Sequence, residues 1–411
     1  MASDLTVFVR GADGDLATQV SDDIVRTAES LGSTAYAFPG VRTDSPHPRS
    51  EFRGLFDPAG SPGALTTIDS EYMLVVYEDV VPTPDLLEAL WSQRHTADAL
   101  VVPRRAIVPR AETIRERSAR PVERFVSGFL ALGTEDVSCA LALYRRDLLE
   151  DVARRGGNVD SRLEVLAYAA VGGWQVRSLP DLTEVRLRGK LPSERRVFSR
   201  DFLKGVYGMW TQRNSIAAAD YDMRAYHSWI PPQRWWQHRR HDLLLEMAKD
   251  KLDGRVLNVG CGSSQLLLDL QGSVGLDVLH HKLRYMRRYE RNPLVAGSIF
   301  QLPFQDQTFD CLVCGEVIEH VPAEPSPLAE MVRVLRPDGR LVVSTPDYST
   351  FWWPRIEKAY GRLHPHGYAD EHITHYTRES LTAEMRSLGW RAVGFDYVAK
   401  AVMVGSFERA L

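Results

Sequence analysis

Cysteine is scarce. Four residues, Cys139, Cys261, Cys311 and Cys314, occur in a chain of 411. So few thiols make no disulfide framework, and the chain reads as a reduced protein. Long hydrophobic runs are missing too. No segment approaches the roughly 18 apolar residues that a bilayer-spanning helix needs. The first residues, MASDLTVFVRGADGD, carry acids where a signal peptide has its basic region. A cytoplasmic location is therefore expected. An excess of one charge is absent as well. Fifty Lys and Arg face 54 Asp and Glu, a formal net charge of −4. That excludes a globally basic, nucleic-acid-coating protein. There is no internal repeat and no low-complexity tract. Apolar residues make up 44% of the chain, enough to offset chain entropy and exclude dominant disorder.

What is present falls into three parts. Residues 1–185 alternate strand-like and helix-like stretches. Leu5–Val9, Thr34–Phe38, Tyr72–Tyr77 and Ala99–Val102 read as strands, and apolar residues from Leu16 to Leu31 recur at helical spacing. Asp85–Trp91 begins a helix after two prolines. Residues 186–240 differ in texture. Between Arg186 and Arg213 there are eight Lys or Arg against two acids, and Trp210, Trp229, Trp235 and Trp236 lie in or after that stretch. This reads as a helical connector with a basic, aromatic face, interrupted by Pro231-Pro232. Residues 241–411 alternate again. His241–Leu252 reads as a helix, and Arg255–Val259, Val274–Asp277, Cys311–Cys314 and Leu341–Ser344 as strands. Alternation of this kind predicts α/β domains built on parallel sheets.

In the third part a short apolar strand runs into Gly260-Cys261-Gly262 and then toward a helix. Glycines there let a ligand approach the backbone, and a helix start offers free N–H groups. Asp277 closes the next strand, where a carboxylate can accept both hydroxyls of a ribose. The series specifies a nucleoside site without naming the nucleoside. The pieces VLNVGCGSS (256–264), VGLDV (274–278), LPFQDQTFDCLVCGEVIEHV (302–321) and AEMVRVLRPDGRLVVSTP (329–346) resemble, in order, the class I S-adenosylmethionine-dependent methyltransferases. The resemblance implies a Rossmann-like fold with S-adenosylmethionine as cofactor. It places Gly260 and Gly262 along the methionine portion, Asp277 on the ribose, and Ser298 and Ile299 beside the adenine. Cys261 and Val278 count among the cofactor-binding positions, and Gly315 closes the pocket with Cys314 and Glu316. The sequence departs from that family at Asn258, Ser264, Ser298 and Asp338, where acids or glycines are usual.

Methyl transfer to a hydroxyl needs a base or a metal. Glu316 and Glu319 are three residues apart, with His320 beside them; on a helix all three would face the pocket. Similar sets hold a divalent ion, Mg or Mn, in some sugar- and quinone-directed O-methyltransferases, so Glu316, Glu319 and His320 are candidate ligands. The same residues equally suit capping and packing. His364, His366, His372 and His375 follow, and the resemblance lays them over the acceptor pocket. His372 is the first candidate for the base, with His320 and Glu316 as further catalytic candidates. Cys311 and Cys314 form CxxC, but on a strand they point to opposite faces, which argues against a metal or redox role.

Residues 60–200 resemble the polyprenol-phosphate sugar synthases of glycosyltransferase family 2. The matching pieces are VPTPDLLEAL (81–90), residues 115–152 and residues 161–191. The resemblance implies a GT-A fold, a nucleotide-sugar ligand and a metal-binding acid at Asp79, helped by Asp136 or Glu164. The first acid of the expected DxD is missing, since the chain reads Tyr77-Glu78-Asp79. The whole is then two Rossmann-like α/β domains: a GT-A-like domain at 1–185 and a methyltransferase at 241–411. The expected activity is O-methylation of a sugar, glycan or lipid-linked saccharide. Two alternatives stay open: a bifunctional enzyme, or a non-catalytic glycan- or partner-binding first domain. The basic stretch suits the inner membrane face, a diphosphate, or plain packing between domains. No nucleic-acid reader module accompanies it.

Overall fold

The computed structural model describes residues 5–9, 35–39, 70–76, 82–102, 124–132, 141–159, 161–179, 200–289, 291–363 and 372–410, with Arg26, Thr134, Val137 and Cys139. The chain forms two compact units, Met1–Arg213 and Asn214–Leu411.

The first unit holds a six-stranded sheet. Its strands are β1 (Leu5–Val9), β2 (Ala35–Pro39), β3 (Tyr72–Val76), β4 (Ala99–Val102), β5 (Leu141–Arg145) and β6 (Val176–Ser178), in the order β2-β1-β3-β5-β4-β6. β1 runs parallel to β2 and β3, β4 runs parallel to β6, and β5 is antiparallel to both its neighbours. The described helices are α1 (Pro84–Ser92), about two turns at 124–130, α2 (Arg146–Arg154), α3 (Arg162–Val171) and α4 (Arg200–Arg213). α1 starts where Thr83 accepts the Leu86 N–H and Pro84 sits in the first turn. Met73, Val101, Tyr144, Leu148, Leu166 and Trp174 fill one core against the sheet, and Trp174 Nε1 donates to Asp151 there at 2.9 Å. This mixed α/β architecture agrees with the sequence reading at the level of class.

The basic connector divides between the units. α4 lends Val206 and Met209 to the first core, and Arg213 Nε donates to the Leu130 carbonyl. Phe125, Phe129, Trp210 and Tyr207 form a row of stacked rings on that helix pair. Residues 186–199 lie outside the described residues. From Asn214 onward the chain belongs to the second unit, in α5 (Tyr221–Tyr226) and α6 (Pro231–Ala248). The helix expected from His241 therefore begins ten residues earlier. Pro231-Pro232 starts α6 rather than interrupting the segment, because proline's fixed φ and missing N–H suit the first turn.

The second unit has seven strands: β7 (Val256–Val259), β8 (Val274–Asp277), β9 (Leu294–Ala296), β10 (Phe309–Gly315), β11 (Leu335–Pro346), β12 (Trp390–Val398) and β13 (Val402–Arg409). Their order is β12-β13-β11-β10-β7-β8-β9, parallel from β11 to β9, with β13 antiparallel to β11 and β12. The helices that follow are α7 (Gln265–Asp269), α8 (His280–Arg287), α9 (Pro327–Val334), α10 (Trp353–Leu363) and α11 (Arg378–Ser387). From β7 the chain moves outward through β8 and β9, then returns to β10 and β11 on the other side of β7. The strand order reverses between β7 and β10, and a ligand crevice forms at the carboxyl ends of strands at such a place. Two cores flank the sheet. Leu257, Val259, Leu312 and Cys314 face one; Val256, Cys311 and Val313 face the other. Cys311 and Cys314 thus lie on opposite faces, as their spacing predicts. Burial pushes the Cys311 thiol up to about 12 and Cys314 well above the usual thiol range.

Candidate active site

At the end of β7 the chain turns through Gly260 (φ 63°) and Gly262 (φ 52°), both left-handed. A Cβ on Gly260 would overlap Val317, and one on Gly262 would come within 2.5 Å of Asp222 Oδ2. Both glycines therefore answer to close neighbours in the chain itself, as well as to any ligand. Asp277 closes β8 and is buried. Its Oδ2 accepts the Gly262 N–H at 2.7 Å, and its Oδ1 accepts the Leu279 N–H at 2.8 Å. These bonds fix the carboxylate while leaving each oxygen a second lone pair for a hydroxyl. Val278 and Leu279 are exposed beside it, an apolar edge on which a flat ring can rest. The group that fits here is a nucleoside with vicinal hydroxyls.

An ion pair backs the loop, its lysine buried and its aspartate half-buried. Asp222 of α5 accepts from Ser263 N at 3.0 Å, Ser263 Oγ at 3.1 Å and Lys282 Nζ at 2.9 Å, all on Oδ2. Burial opposes both charges. The Lys282 ammonium and the Ser263 hydrogen bonds together outweigh it and lower Asp222, while Asp222, helped by Asp277, raises Lys282.

The second cluster lies at the ends of β10 and β11. Val317, against Gly260, begins the turn that carries it. Residues 318–320 form one short 3-10 turn, with the His320 N–H donating to the Val317 carbonyl. Glu319 is 1% exposed. Its Oε2 accepts from Thr345 Oγ1 at 3.0 Å, and its Oε1 has no hydrogen-bond partner among the described residues. Burial, then the Glu316 charge, push its carboxyl well above the usual range. The Glu319 carbonyl accepts the N–H groups of Ile373 and Thr374, which brings His372 back to this turn. The His320 and His372 rings meet edge to face at 4.9 Å, and Trp353 stacks on His372 at 5.8 Å. His372 Nδ1 is 3.1 Å from Glu357 Oε1 and 2.8 Å from Tyr348 Oη, whose own proton goes to Glu357. The Glu357 contact holds the histidine proton on Nδ1 and leaves Nε2 basic. Burial, then repulsion from His320 and His375, lower His372 to about 4. The ring is therefore neutral at pH 7, well below the ordinary value near 6.5 expected from sequence.

Residues 257–343, the span holding the glycine loop, Asp277 and the Glu319 turn, match the family model described as "Methyltransferase domain". This span is thus similar to methyltransferase domains, and relatives that it resembles are named as S-adenosylmethionine-dependent enzymes. A Mycolicibacterium smegmatis protein named "Probable S-adenosylmethionine-dependent methyltransferase" is 35% identical over 128 residues, 30% of this chain and 49% of that protein. A demethylmenaquinone methyltransferase of Beutenbergia cavernae is 29% identical over 164 residues, 34% of this chain and 67% of that enzyme. A Synechocystis magnesium protoporphyrin IX methyltransferase, solved with SAH, covers 43% of this chain and 87% of its own at 16% identity and a TM-score of 0.35, too low to carry an argument. The chain spans about half the length of the first curated relative it matches.

Within this methyltransferase domain the cofactor is S-adenosylmethionine, and the residues present fit it through Gly260, Gly262, Asp277 and Val278. Other sequence expectations are corrected. Cys261 is buried. Its side chain packs with Met223, Leu267 and Leu283, and its N–H goes to the Leu276 carbonyl. Ile299 also turns into a core, because it follows the exposed Ser298 on the opposite side of the chain. Ser298 stands two residues past Ala296, the end of β9 and the partner of Asp277, and its hydroxyl accepts the Phe300 N–H. Gly315 ends β10 against Leu244 and Ser344. Glu316 does not share a helical face with Glu319. A left-handed φ of 56° ends the strand there, and its carboxylate accepts from Ser344 Oγ and faces Arg240 at 3.6 Å. His372 takes its place in the cluster. Asp79, Asp136, His364 and His366 lie outside the described residues, while Glu164, in the first turn of α3, accepts the Asn158 N–H from the preceding loop. Asp222, Lys282, Tyr348 and Glu357 were not legible, since each comes from an element with no motif of its own.

Removing the ribose acceptor should weaken the cofactor. Asp277→Ala is expected to cost about 1–3 kcal/mol of S-adenosylhomocysteine affinity, because buried hydroxyls lose their partner. Calorimetry reads it, and an unchanged dissociation constant would remove Asp277 from the site.

Proposed function

We propose that the protein is an O-methyltransferase acting on a sugar, glycan or lipid-linked saccharide, with His372 as the base. The observation that carries this reading is His372: neutral, oriented by Glu357 and Tyr348, and placed with His320 at the strand ends beside the glycine loop. S-adenosylmethionine supplies an electrophilic methyl on a sulfonium. The residues of the chain align the acceptor oxygen with it and take the proton on His372 Nε2. The saccharide assignment draws on the exposed Phe351 and Trp352, which adjoin Trp353 and offer faces to a pyranose ring, and on the sugar-synthase likeness of residues 60–200. In the same reading the first unit is a GT-A-like domain that holds the glycan or a nucleotide sugar, with or without transfer of its own. A basic stretch at 186–213 meets the acceptor's lipid or diphosphate at the membrane surface.

One observation favours a metal as activator instead. Glu319, His320 and His372 offer ligand atoms within 4.8 Å of one another, and Glu319 Oε1 is buried without a partner. Carboxylate and imidazole ligands suit Mn²⁺, or Mg²⁺ with added waters, and a cation would favour the ionised form of Glu319 that burial disfavours. These residues would hold the ion, and it would acidify the acceptor hydroxyl. Chelation separates the two. A histidine base predicts activity that survives EDTA. Loss with EDTA, recovery with Mn²⁺, and the same loss in Glu319→Gln would replace it with the metal.

A further inference from the structure

On the first unit, the short helix at 124–130 and α4 share one core through Val126, Leu130, Val206 and Met209. Their outer sides carry rings. Phe125, Tyr207 and Phe129 are 66%, 61% and 40% exposed. Phe125 stacks on Phe129 at 5.5 Å and 16°, Phe129 on Trp210 at 5.6 Å and 11°, and Trp210 on Tyr207 at 5.9 Å and 26°. Four aromatic side chains thus form one continuous row at the surface, and a contiguous apolar patch of this kind marks a contact. Gly128 and Gly208 are exposed on the same helices, with open space where a Cβ would stand. Positive charge flanks the row in sequence. Residues 103–124 bring seven Arg against three acids, and residues 186–204 bring seven Lys or Arg against two, in a chain whose formal net charge is −4.

We propose that the row Phe125–Phe129–Trp210–Tyr207 is an interfacial anchor that seats the first unit on an anionic phospholipid surface. Ring geometry and charge together choose this occupant. A pyranose stacks on a ring face, but Phe129 and Trp210 are each stacked on two neighbours and offer edges instead. A second copy of the chain would set the same positive segments against each other. A negatively charged lipid surface meets both features. Its phosphates attract the flanking cations, and Trp, Tyr and Phe settle at headgroup depth, where one edge of a ring is apolar and the other wet. This anchor rests on the membrane contact proposed for the basic stretch, and it requires no methyl transfer.

Sedimentation of the full chain with phospholipid vesicles tests it. The parent is expected to pellet with phosphatidylcholine vesicles containing about one quarter phosphatidylglycerol, and to stay in solution with phosphatidylcholine alone. The double variant Phe125→Ser, Tyr207→Ser, which changes two exposed rings, should lower the partition coefficient about tenfold or more. Its melting temperature and its S-adenosylhomocysteine affinity should match those of the parent. Should the serine pair not fold, Tyr207→Ala alone replaces it, with an expected loss of about threefold. A parent that ignores the anionic vesicles would overturn the anchor, and so would equal binding to both kinds of vesicle. Equal binding by parent and variant would assign the contact to the basic sequence alone and overturn it as well. A parent that is dimeric by sedimentation velocity and becomes monomeric in the variant would give the row to a second copy instead. Failure of the parent to bind S-adenosylhomocysteine would overturn the cofactor assignment, a result separate from vesicle binding.

Discussion

His372→Asn is expected to lower kcat by roughly 10²–10⁴-fold, the usual worth of a positioned general base. In the proposed reading His372 serves the acceptor, so S-adenosylhomocysteine affinity should not change. The pH profile carries more information than the loss. With His372 near 4, the base form dominates throughout the neutral range. Activity of the free enzyme should therefore stay level from about pH 8 to about pH 5, and fall tenfold per unit only below about 4. An acid limb near 6.5 would mean that His372 is not the base. Stability shifts in the same window. A histidine lowered on folding is protonated first in the unfolded chain, so its stabilising effect is complete above about 6.5 and is lost as pH falls toward 4. The lowering corresponds to about 3 kcal/mol at most. His372→Asn should flatten thermal stability between those limits.

Gly260→Ala should be the most damaging single methyl in the second unit. The residue has φ 63°, where a side chain costs about 1–2 kcal/mol, and its Cβ would overlap Val317. Overpacking of that kind costs about 1–3 kcal/mol more. Together these lower the melting temperature by roughly 5–20 °C in a unit of this size, read by calorimetry. Cofactor binding should fall as well, because relieving the overlap displaces the 318–320 turn. A melting temperature unchanged in Gly260→Ala would mean that the turn is not seated as described.

The elements with strong local chemistry were legible in the sequence. Val274–Asp277 could be read directly, because an apolar run ends there in an acid. The start of α9 follows the same local logic, with Pro327 in its first turn and the Ser326 hydroxyl accepting the Ala329 N–H. The connector misled, since a proline pair signals a break or a beginning alike, and only the packing of α6 decides between them. Glu316 misled for a related reason. Its spacing to Glu319 reads as one helical turn, yet a left-handed residue between strand and turn cancels the periodicity. His372 was a candidate by composition, but its neutrality was not legible. That depends on burial and on His320 and His375, brought close by Ile373 and Thr374 pairing with the Glu319 carbonyl. Lys282 belongs to no motif, and only its contact with Asp222, 60 residues away, distinguishes it.

The four buried cysteines give each unit its own reporter. Cys139 lies in the core of the first unit, and Cys261, Cys311 and Cys314 lie in three separate cores of the second. A thiol shielded in this way alkylates only when its surroundings open. Pulsed labelling with an alkylating reagent, read by peptide mass, then yields four opening rates from one unmodified protein. Saturating S-adenosylhomocysteine should slow labelling at Cys261, directly beneath the glycine loop, while Cys139 continues at its original pace.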